Sequence, residues 1–501
     1  MKNEHLLILI LGCSFLYVSV QPVVAQSFEE YKKQTLSEFN AYKDKQEKDF
    51  NAYRAKVNAE FAEFMAKPWK EEKQQPPLEA PREEPDIPPV VLPEIDIPET
   101  PEDKELDVVD IEPIIDTVPE PPTPIAPIEY TPKPKEKSIE FALYGTECSI
   151  RFDSKKRTSM EGVTENDAST YWKHLSSGDY DNVLADCFSI RKQLDLCDWS
   201  FYKLLQAASR AIYSDGNEAE MLCAWLMSQS GFKIRLGRSD DKILLLVNTC
   251  EDICGYPYLT LGGNKFYILD TDLEDSMRIN VFDEEFPEEK SLRLTLTGSN
   301  RLDSKHAEKR ILKSKRYKNV TVAADANLNL LDLYSEYPKV YKDKDTKTLW
   351  SIYANAPVSN EMRETVYPAL KASIDGKTEK DAANILINFV QTAFEYKTDD
   401  EVWGRERAFF PDETLHYPYS DCEDRAILFS RLVRDLMGLH AVLLYYPGHL
   451  ATAVEFNETI TGDYIMMDGH RYLVCDPTYI NAEIGNTMPG MNNDKVCIVQ
   501  L

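Results

Sequence analysis

The chain has 501 residues, more than one hydrophobic core usually organises, so at least two folded units are expected. Its 57 Lys and Arg residues are outnumbered by 85 Asp and Glu residues, which gives a net charge of −28 at pH 7. An anionic protein gains nothing from counterion release on a phosphate backbone, so no nucleic-acid partner is expected.

The N-terminal stretch "MKNEHLLILILGCSFLYVSVQPVVAQ" predicts a cleaved secretory signal over residues 1–25, with cleavage after Ala25. Lipid anchoring at Cys13 is the alternative. The expected location is therefore the periplasm, the cell envelope or the extracellular space, where disulfides can form. Nine cysteines follow Cys13, and this odd count is compatible with one thiol that is kept free for chemistry.

Residues 26–67 contain an internal repeat of 11 residues, marked by Phe28, Phe39, Phe50 and Phe61. This period places the aromatic rings on one stripe of a helix and favours a right-handed supercoil. Two interpretations stay open. The helix serves self-association or docking on an envelope or membrane surface, or it is a charged stalk whose aromatic rings pack on one another.

The composition changes at Pro68, where a stretch rich in Pro and Glu begins. Of the 29 prolines in the chain, 18 lie between Pro68 and Pro134. Such a segment has too little apolar surface to fold, so residues 68–137 are predicted to be a disordered, extended linker.

From Ser138 onward, helical patterns are followed by runs of strand-like segments, which predicts an α+β fold with mostly antiparallel sheets. Thr378 and Asp381 are placed to cap a helix that begins at "TEKDAANILINFVQTAFEY". A second helix begins near Cys422 in "SDCEDRAILFSRLVRDLMG", and Gly438 is suited to end it.

Cys422 is a candidate nucleophile because the first turn of a helix favours a thiolate. The neighbouring Asp421, Glu423 and Asp424 oppose that ionisation, so a cationic partner is needed. His449 in "YYPGHLATAVEF" begins a strand, and Asp476 in "YLVCDPTY" ends a later one, each 27 residues after the previous candidate. Nucleophile, base and orienting carboxylate would then form a triad.

At these residues the chain resembles the transglutaminase-like superfamily, whose core is a variant of the papain-like cysteine protease fold. The matching pieces are "SDCEDRAILFSRLVRDLMGLHAVLLY", "GHLATAVEF" and "YLVCDPTY", and the resemblance covers roughly residues 340–501. It implies a helix that carries Cys422 packed on an antiparallel sheet, with Cys422, His449 and Asp476 as the catalytic residues. The family often has an aromatic residue soon after the His, where this chain has Leu450, Ala451 and Thr452, and this difference concerns substrate choice.

Nearby residues offer further candidates for these roles. His416 is a substitute base, and Asp468, His470 and Cys475 are conceivable zinc ligands without a recognised spacing. The backbone N–H of Cys422 is expected to be one oxyanion donor. Trp403, His416 and Tyr419 are candidates for the second. No cofactor and no metal are expected.

An upstream segment resembles the same unit. "SDGNEAEMLCAWLMSQSGFKIRLG" parallels the Cys422 helix, with Gly231 at the position of Gly438. The same alignment puts Lys242 at the position of His449, Asp270 at that of Asp476, and Asp215 or Gly216 at that of Cys422. Thiol and imidazole are both missing, so this copy is expected to be unable to perform thiol chemistry.

These patterns divide the chain into a signal peptide, a repeat helix, a linker, a degenerate transglutaminase-like domain, a connecting region of strands and irregular structure, and a catalytic transglutaminase-like domain: 1–25, 26–67, 68–137, 138–280, 281–339 and 340–501. The expected function is a secreted cysteine peptidase or amidase that acts on a peptide or protein substrate through a thioester. The alternatives are a crosslinking or deamidating transglutaminase and a non-catalytic envelope binding or scaffold protein.

Overall fold

The computed structural model describes residues 48–79, 87–93, 102–112, 137–269, 277–341, 347–492 and 496–501. The predicted signal peptide and Asp270 lie outside these residues. The chain divides into two units, Met1–Arg54 and Ala55–Leu501. Residues 48–54, the described part of the first unit, are helical. All other described residues belong to the second unit.

The predicted α+β class is confirmed, because helices and mostly antiparallel sheets occur throughout the described residues. The helices are α1 (residues 48–65), α2 (Glu165–Leu175), α3 (Asp181–Leu194), α4 (Asp198–Tyr213), α5 (Asn217–Gln229), α6 (Leu328–Ser335), α7 (Lys347–Asn355), α8 (Asn360–Ile374), α9 (Glu379–Ala393), α10 (Asp399–Val402), α11 (Pro411–His416) and α12 (Cys422–Met437).

The strands are β1 (Lys70–Lys73), β2 (Lys104–Glu105), β3 (Val108–Glu112), β4 (Ser138–Leu143), β5 (Thr146–Arg151), β6 (Ile234–Ser239), β7 (Lys242–Asn248), β8 (Asp252–Ile253), β9 (Tyr258–Leu261), β10 (Asn264–Ile268), β11 (Arg278–Phe282), β12 (Arg310–Lys313), β13 (Thr321–Ala324), β14 (Val340–Tyr341), β15 (Glu395–Tyr396), β16 (Tyr419–Ser420), β17 (Ala441–Tyr446), β18 (His449–Glu455), β19 (Asp463–Met467), β20 (His470–Cys475) and β21 (Val496–Val499).

Local signals in the sequence set the helix ends. The Thr378 side chain accepts a hydrogen bond from the Asp381 N–H at 3.1 Å, which confirms the predicted cap of α9. Gly438 adopts φ 68° at the end of α12. This left-handed conformation strains a residue with a Cβ, which explains why a glycine ends the helix there.

Two large sheets organise the unit. The six-stranded sheet has the order β1-β11-β6-β7-β10-β9, and the seven-stranded sheet has the order β2-β19-β20-β18-β17-β21-β3. Helix α5 packs on β6 and β7, and α12 packs on β17 and β18. Leucine, isoleucine, valine and phenylalanine side chains of the first sheet form one buried cluster, and a second buried cluster lies within the other sheet.

The two sheets repeat one topology. In each, a helix is followed by a hairpin of two strands, and the next strands along the chain add to the hairpin in the same order. The hairpins match in register, because Ser239 pairs with Lys242 in one and Tyr446 pairs with His449 in the other, both across two-residue turns. Lys242 therefore occupies the position of His449, as the aligned sequences predict.

The prediction of a disordered linker over residues 68–137 is wrong for the stretches 68–79, 87–93 and 102–112. Strand β1 pairs with β11, β2 pairs with β19, and β3 pairs with β21. Apolar content alone does not determine whether such a segment is ordered. An extended chain can also be held by main-chain hydrogen bonds at a sheet edge, where it covers N–H and C=O groups that would otherwise remain unpaired.

The end of the aromatic repeat belongs to the folded core. The ring of Phe61 is 5.1 Å from that of Trp172 and 5.0 Å from those of Phe282 and Phe286. Asn58 accepts a hydrogen bond from the Trp172 indole at 3.0 Å, which anchors α1 on α2. At this position the aromatic stripe packs on the chain itself. In the described part of the chain, no helix combines the length and apolar character needed to span a bilayer.

Candidate active site

The three predicted triad residues lie at one end of the seven-stranded sheet. Cys422 is the first residue of α12, His449 is the first residue of β18, and Asp476 follows the last residue of β20. Helix α12 connects to β17 through a short loop, and β17 is antiparallel to β18, so α12 and β18 run in the same direction. The Thr452 hydroxyl donates to the Ala426 carbonyl at 3.3 Å and fixes this packing.

His449 and Asp476 form a direct hydrogen bond. Nε2 of His449 lies 2.9 Å from Oδ2 of Asp476, and both side chains are almost completely buried. The other carboxylate oxygen accepts hydrogen bonds from the backbone N–H groups of Thr478 at 2.8 Å and Tyr479 at 3.2 Å. A carboxylate that accepts from three N–H groups is best satisfied when it is ionised, so Nε2 carries the ring proton and donates it.

The second ring nitrogen of His449 is left without a partner. Nδ1 is buried, and no residue in the described part of the chain forms a hydrogen bond with it. Leaving a buried polar atom unpaired costs about 1–3 kcal/mol, and native proteins tolerate this mainly where the atom has another role. With the proton held at Nε2, Nδ1 has the free lone pair that a general base requires.

The thiol of Cys422 is buried at the start of α12, with 3% of the residue exposed. Its Sγ donates a hydrogen bond to Oε2 of Glu423 at 3.2 Å. The structure therefore brings Cys422, His449 and Asp476 to the same end of the sheet, but it pairs the imidazole with the carboxylate and the thiol with Glu423. Sγ and Nδ1 are not hydrogen-bonded to each other.

A cluster of buried carboxyl groups lies at the start of α12, where Cys422 is the first residue. Burial, followed by the charge of Asp421, raises the pKa of Glu423 and of Asp424 well above the usual range. The same two causes raise the pKa of Asp399 to about 9, so Asp399 is protonated at neutral pH. Burial thus favours the neutral form of the carboxyl groups that the sequence places next to Cys422.

A cation that the sequence analysis did not single out lies beside this cluster. The guanidinium of Arg425 is fully buried and donates to the Gln391 carbonyl at 3.3 Å, the Phe394 carbonyl at 3.2 Å and the Ser420 hydroxyl at 3.0 Å. Burial lowers the pKa of Arg425 to about 10, so it stays charged at neutral pH. The Tyr396 hydroxyl and the carboxyl groups of Asp421 and Asp424 oppose this decrease in pKa more strongly than the Cys422 thiol does. Arg425 is thus a buried positive charge within this cluster.

Three of the buried carboxyl groups also form a set of oxygen donors. Asp399, Asp421 and Glu423 each offer one oxygen, and the three oxygens lie within 4.8 Å of one another. Oxygen-only ligand sets of this kind suit hard cations such as Ca²⁺ or Mg²⁺. The chemistry of the set is thus compatible with either protons or one hard cation as the neutralising species. Asp421 and Glu423 flank Cys422 in the sequence, whereas Asp399 is brought in by α10.

Asp468, His470 and Cys475 do not come together as a zinc site. His470 begins β20 and Cys475 ends it, so the strand separates them by about 16 Å. Asp468 lies in the turn that precedes β20. The His470 ring contacts Oε1 of Glu455, and the Cys475 thiol donates to a backbone carbonyl.

The other sequence candidates have different surroundings. The ring of His416 lies 5.0 Å from that of Tyr417, and burial followed by the charge of Arg310 lowers the pKa of His416. Asp476 hydrogen-bonds His449 rather than His416. Trp403 packs on Arg407 and on the Tyr417 ring. The Lys397 ammonium group lies over the Tyr419 ring, 3.8 Å from its centroid. None of these contacts involves Cys422.

All nine cysteines in the described residues have free thiols. The odd cysteine count therefore does not single out Cys422, because no two of the described cysteines form a disulfide. What distinguishes Cys422 from the other buried thiols is its place as the first residue of a helix, at the same end of the sheet as His449.

In the six-stranded sheet, the start of helix α5 is tied to the neighbouring hairpin turn by hydrogen bonds. The Asn217 side chain, at the start of α5, donates to the Asp241 carbonyl and accepts from the Ile243 N–H, both at 2.8 Å. Lys242, at the position of His449, is exposed. As the first residue of its helix, Asn217 rather than Asp215 or Gly216 takes the position of Cys422, and it fastens the hairpin where the downstream repeat has a thiol.

Comparison of the chain with family models, with curated proteins and with solved structures finds no match in any of the three.

Proposed function

We propose that the protein is a cysteine hydrolase of the transglutaminase-like type that cleaves peptide amides through Cys422, His449 and Asp476. The observation that carries this proposal is the buried His449–Asp476 pair, in which Nδ1 is left without a hydrogen-bond partner at the same end of the sheet as the Cys422 helix. The resemblance of the sequence over residues 340–501 agrees with it.

The proposed reaction begins when Nδ1 of His449 takes the proton of the Cys422 thiol. The thiolate attacks the amide carbonyl carbon, and the carbonyl oxygen becomes an oxyanion. The backbone N–H of Cys422, in the first turn of α12, stabilises the oxyanion. His449 then returns the proton to the leaving amine, and a thioester on Cys422 remains.

Hydrolysis of the thioester completes the cycle. His449 takes a proton from water, the hydroxide attacks the thioester carbon, and the acid product leaves as the Cys422 thiol regains its proton. Asp476 stabilises the imidazolium that forms in each half of the reaction. Before the first step, Sγ has to leave Glu423 and contact Nδ1.

The environment of Cys422 supports a role for this thiol in chemistry. A buried thiol among ionised carboxylates would resist deprotonation, but Glu423 and Asp424 have raised pKa values and Arg425 contributes a positive charge. A protonated Glu423 can donate its O–H to the thiolate, because a neutral carboxyl group is a donor as well as an acceptor. The carboxyl groups then assist the nucleophile.

Release of a chromogenic amine from N-blocked peptide anilides by the full chain tests the proposal. Wild type and Cys250→Ala, which removes the exposed thiol, should release the amine at equal rates. Cys422→Ala and His449→Ala should lower kcat/KM by a factor on the order of 10⁴ or more. Equal rates in Cys422→Ala and wild type would reject the proposal.

Transfer of the acyl group to an amine, giving a crosslink, is the second candidate. The thioester is common to both reactions, so an added primary amine and mass analysis of the product separate them. A scaffold without catalysis is the third candidate, and it predicts that Cys422→Ala behaves as wild type. Export to the periplasm, the cell envelope or the medium is part of the proposal, on the basis of the N-terminal sequence.

A further inference from the structure

A short segment of the proline-rich region, residues 87–93 ("IPPVVLP"), lies against the loop that carries Asp476. The Leu92 N–H donates to the Ile480 carbonyl at 3.0 Å, and the Ile480 N–H donates to the Val90 carbonyl at 2.9 Å. Together they form a parallel bridge between Val91 and Ile480. The Asn481 side chain adds a third bond, from Nδ2 to the Leu92 carbonyl at 2.7 Å. The loop thus recognises this segment through its backbone.

Side chains of the segment fill an apolar groove in the same loop region. The groove, termed here the 479–491 groove, is formed by Tyr479, Ala482, Met488 and Met491, and the side chains packed on it are Ile87, Val90 and Leu92. Val91, between two of these, points outward and is 64% exposed. A methionine-lined groove adapts to different aliphatic side chains, because the thioether chain is unbranched and flexible.

One end of the segment lies against the backbone next to His449. The Ile87 N–H donates to the carbonyl of Gly448, the residue before His449, at 2.9 Å. At its other end the segment bridges Ile480, which lies four residues after Asp476. A chain in the groove therefore runs from the backbone next to the proposed base along the loop that holds the orienting carboxylate.

The contacts define the chemistry of an occupant. Backbone pairing selects an extended chain, and the two half-buried positions select aliphatic side chains with one exposed residue between them. Pro88, Pro89 and Pro93 restrict the backbone of the segment to extended conformations, so less entropy is lost on binding. Charge at Val90 or Leu92 would lie against the apolar surface of the groove.

We propose that the 479–491 groove is the peptide subsite of the candidate active site, that it takes extended proline-containing peptides with an aliphatic-x-aliphatic motif, and that residues 87–93 occupy it in cis. The substrate assignment rests on the proposed function. The segment then competes with substrate, and its displacement opens the subsite.

The test uses a fluorescein-labelled peptide with the sequence "DIPPVVLPE", taken from residues 86–94, and the full chain. The double variant Val90→Asp/Leu92→Asp, termed the release variant, removes residues 87–93 from the groove. Val91→Asp is the matched control, because the Val91 side chain points outward. Fluorescence anisotropy should show saturable binding to the double variant that is at least 10-fold tighter than binding to wild type or Val91→Asp. A scrambled peptide should bind weakly to all three.

A milder pair, Val90→Ala/Leu92→Ala, keeps the test decisive if the charged variant does not fold, since it removes apolar contact without introducing charge. It should bind the peptide more tightly than wild type does. Absence of saturable binding to a folded release variant, or equal binding to release variant and wild type, overturns the groove assignment.

Activity measured in parallel separates this proposal from the proposed function. Competitive peptide binding without turnover of any peptide amide keeps the groove and rejects the hydrolase. Turnover can depend on Cys422 but be equal in wild type and release variants and not inhibited by the peptide. In that case the hydrolase proposal stands and the groove assignment is rejected. If both proposals hold, the release variant hydrolyses an aliphatic-x-aliphatic peptide amide several-fold faster than wild type.

Discussion

Oδ2 of Asp476 lies 2.9 Å from Nε2 of His449, and the opposite nitrogen of the same ring has no hydrogen-bond partner in the described part of the chain. In the proposed mechanism, the carboxylate thereby determines which nitrogen acts as the base. Its charge also favours the imidazolium that forms when that nitrogen takes a proton.

Replacement of Asp476 by Asn should reverse the tautomer of His449. The single amide oxygen is held by the N–H groups of Thr478 and Tyr479, so the amide NH2 group faces Nε2 and the ring proton moves to Nδ1, where it blocks the proposed base. We expect kcat to fall by a factor on the order of 10⁴ with little change in KM. Steady-state kinetics on a peptide amide measure this effect. A rise in KM of similar size, with kcat unchanged, would show that Asp476 acts in substrate binding.

Glu423→Gln should change the pH dependence of activity. Burial and the neighbouring Asp421 raise the pKa of Glu423, so it is neutral below that pKa and donates to the thiolate. Above that pKa the carboxylate repels the thiolate, and activity falls. Gln stays neutral, so we expect near-wild-type rates at pH 7 and an alkaline limb that is flattened or shifted upward.

The matched control is Glu364→Gln, which removes an exposed carboxyl group of α8. Its pH–rate profile should coincide with that of wild type. Coincident profiles of Glu423→Gln and wild type would show that Glu423 does not act on the thiol.

Asp399→Asn should stabilise the fold at alkaline pH. Burial and Asp421 raise the pKa of Asp399 from 3.8 to about 9. The native state therefore holds a proton that the unfolded state releases, and the free energy of unfolding falls as pH rises between these two values. The amide has no proton to lose, so the variant should be more stable on the order of 2 kcal/mol at pH 8.

Chemical unfolding of both proteins at pH 5 and pH 8 measures this difference, with the exposed neighbour Asp400→Asn as control. The gain should be larger at pH 8. A gain that is equal at both pH values would mean that Asp399 does not titrate in this range. If a hard cation occupies the set instead, added Ca²⁺ or Mg²⁺ should stabilise wild type and not Asp399→Asn.

Asn217→Ala should lower stability without affecting turnover. The Asn217 side chain bonds the Asp241 carbonyl and the Ile243 N–H, so its loss leaves two backbone groups of the hairpin turn unsatisfied. We expect a cost of about 1–2 kcal/mol in the free energy of unfolding. Asp215→Ala, which truncates an exposed neighbour, is the control. Loss of kcat/KM in Asn217→Ala beyond the unfolded fraction would point to a catalytic role for the upstream repeat.

Much of the site could be predicted from the sequence because it depends on local order along the chain. A helix start, a strand start after a tight turn and a strand end place Cys422, His449 and Asp476 at one end of a sheet. The internal alignment of Lys242 with His449 also survives, since two-residue turns fix the register of both hairpins.

The parts that could not be predicted depend on contacts between segments far apart in the chain. Asp399 reaches the carboxyl groups of Asp421 and Glu423 through the packing of α10. The Arg425 charge is held by carbonyls of Gln391 and Phe394, which no periodicity reveals. The linker strands are held by backbone hydrogen bonds to sheet edges, and these depend on partners rather than on side-chain hydrophobicity.

Trapping of the acyl-enzyme tests the central claim most directly. The full chain is mixed with an activated ester of an N-blocked dipeptide, quenched in acid and mapped by peptide mass spectrometry. One acyl adduct is predicted on the peptide that contains Cys422, formed at least 100-fold more slowly in His449→Ala and unchanged in Cys250→Ala. An adduct that maps to another thiol, or one that forms at the same rate without His449, would contradict the account.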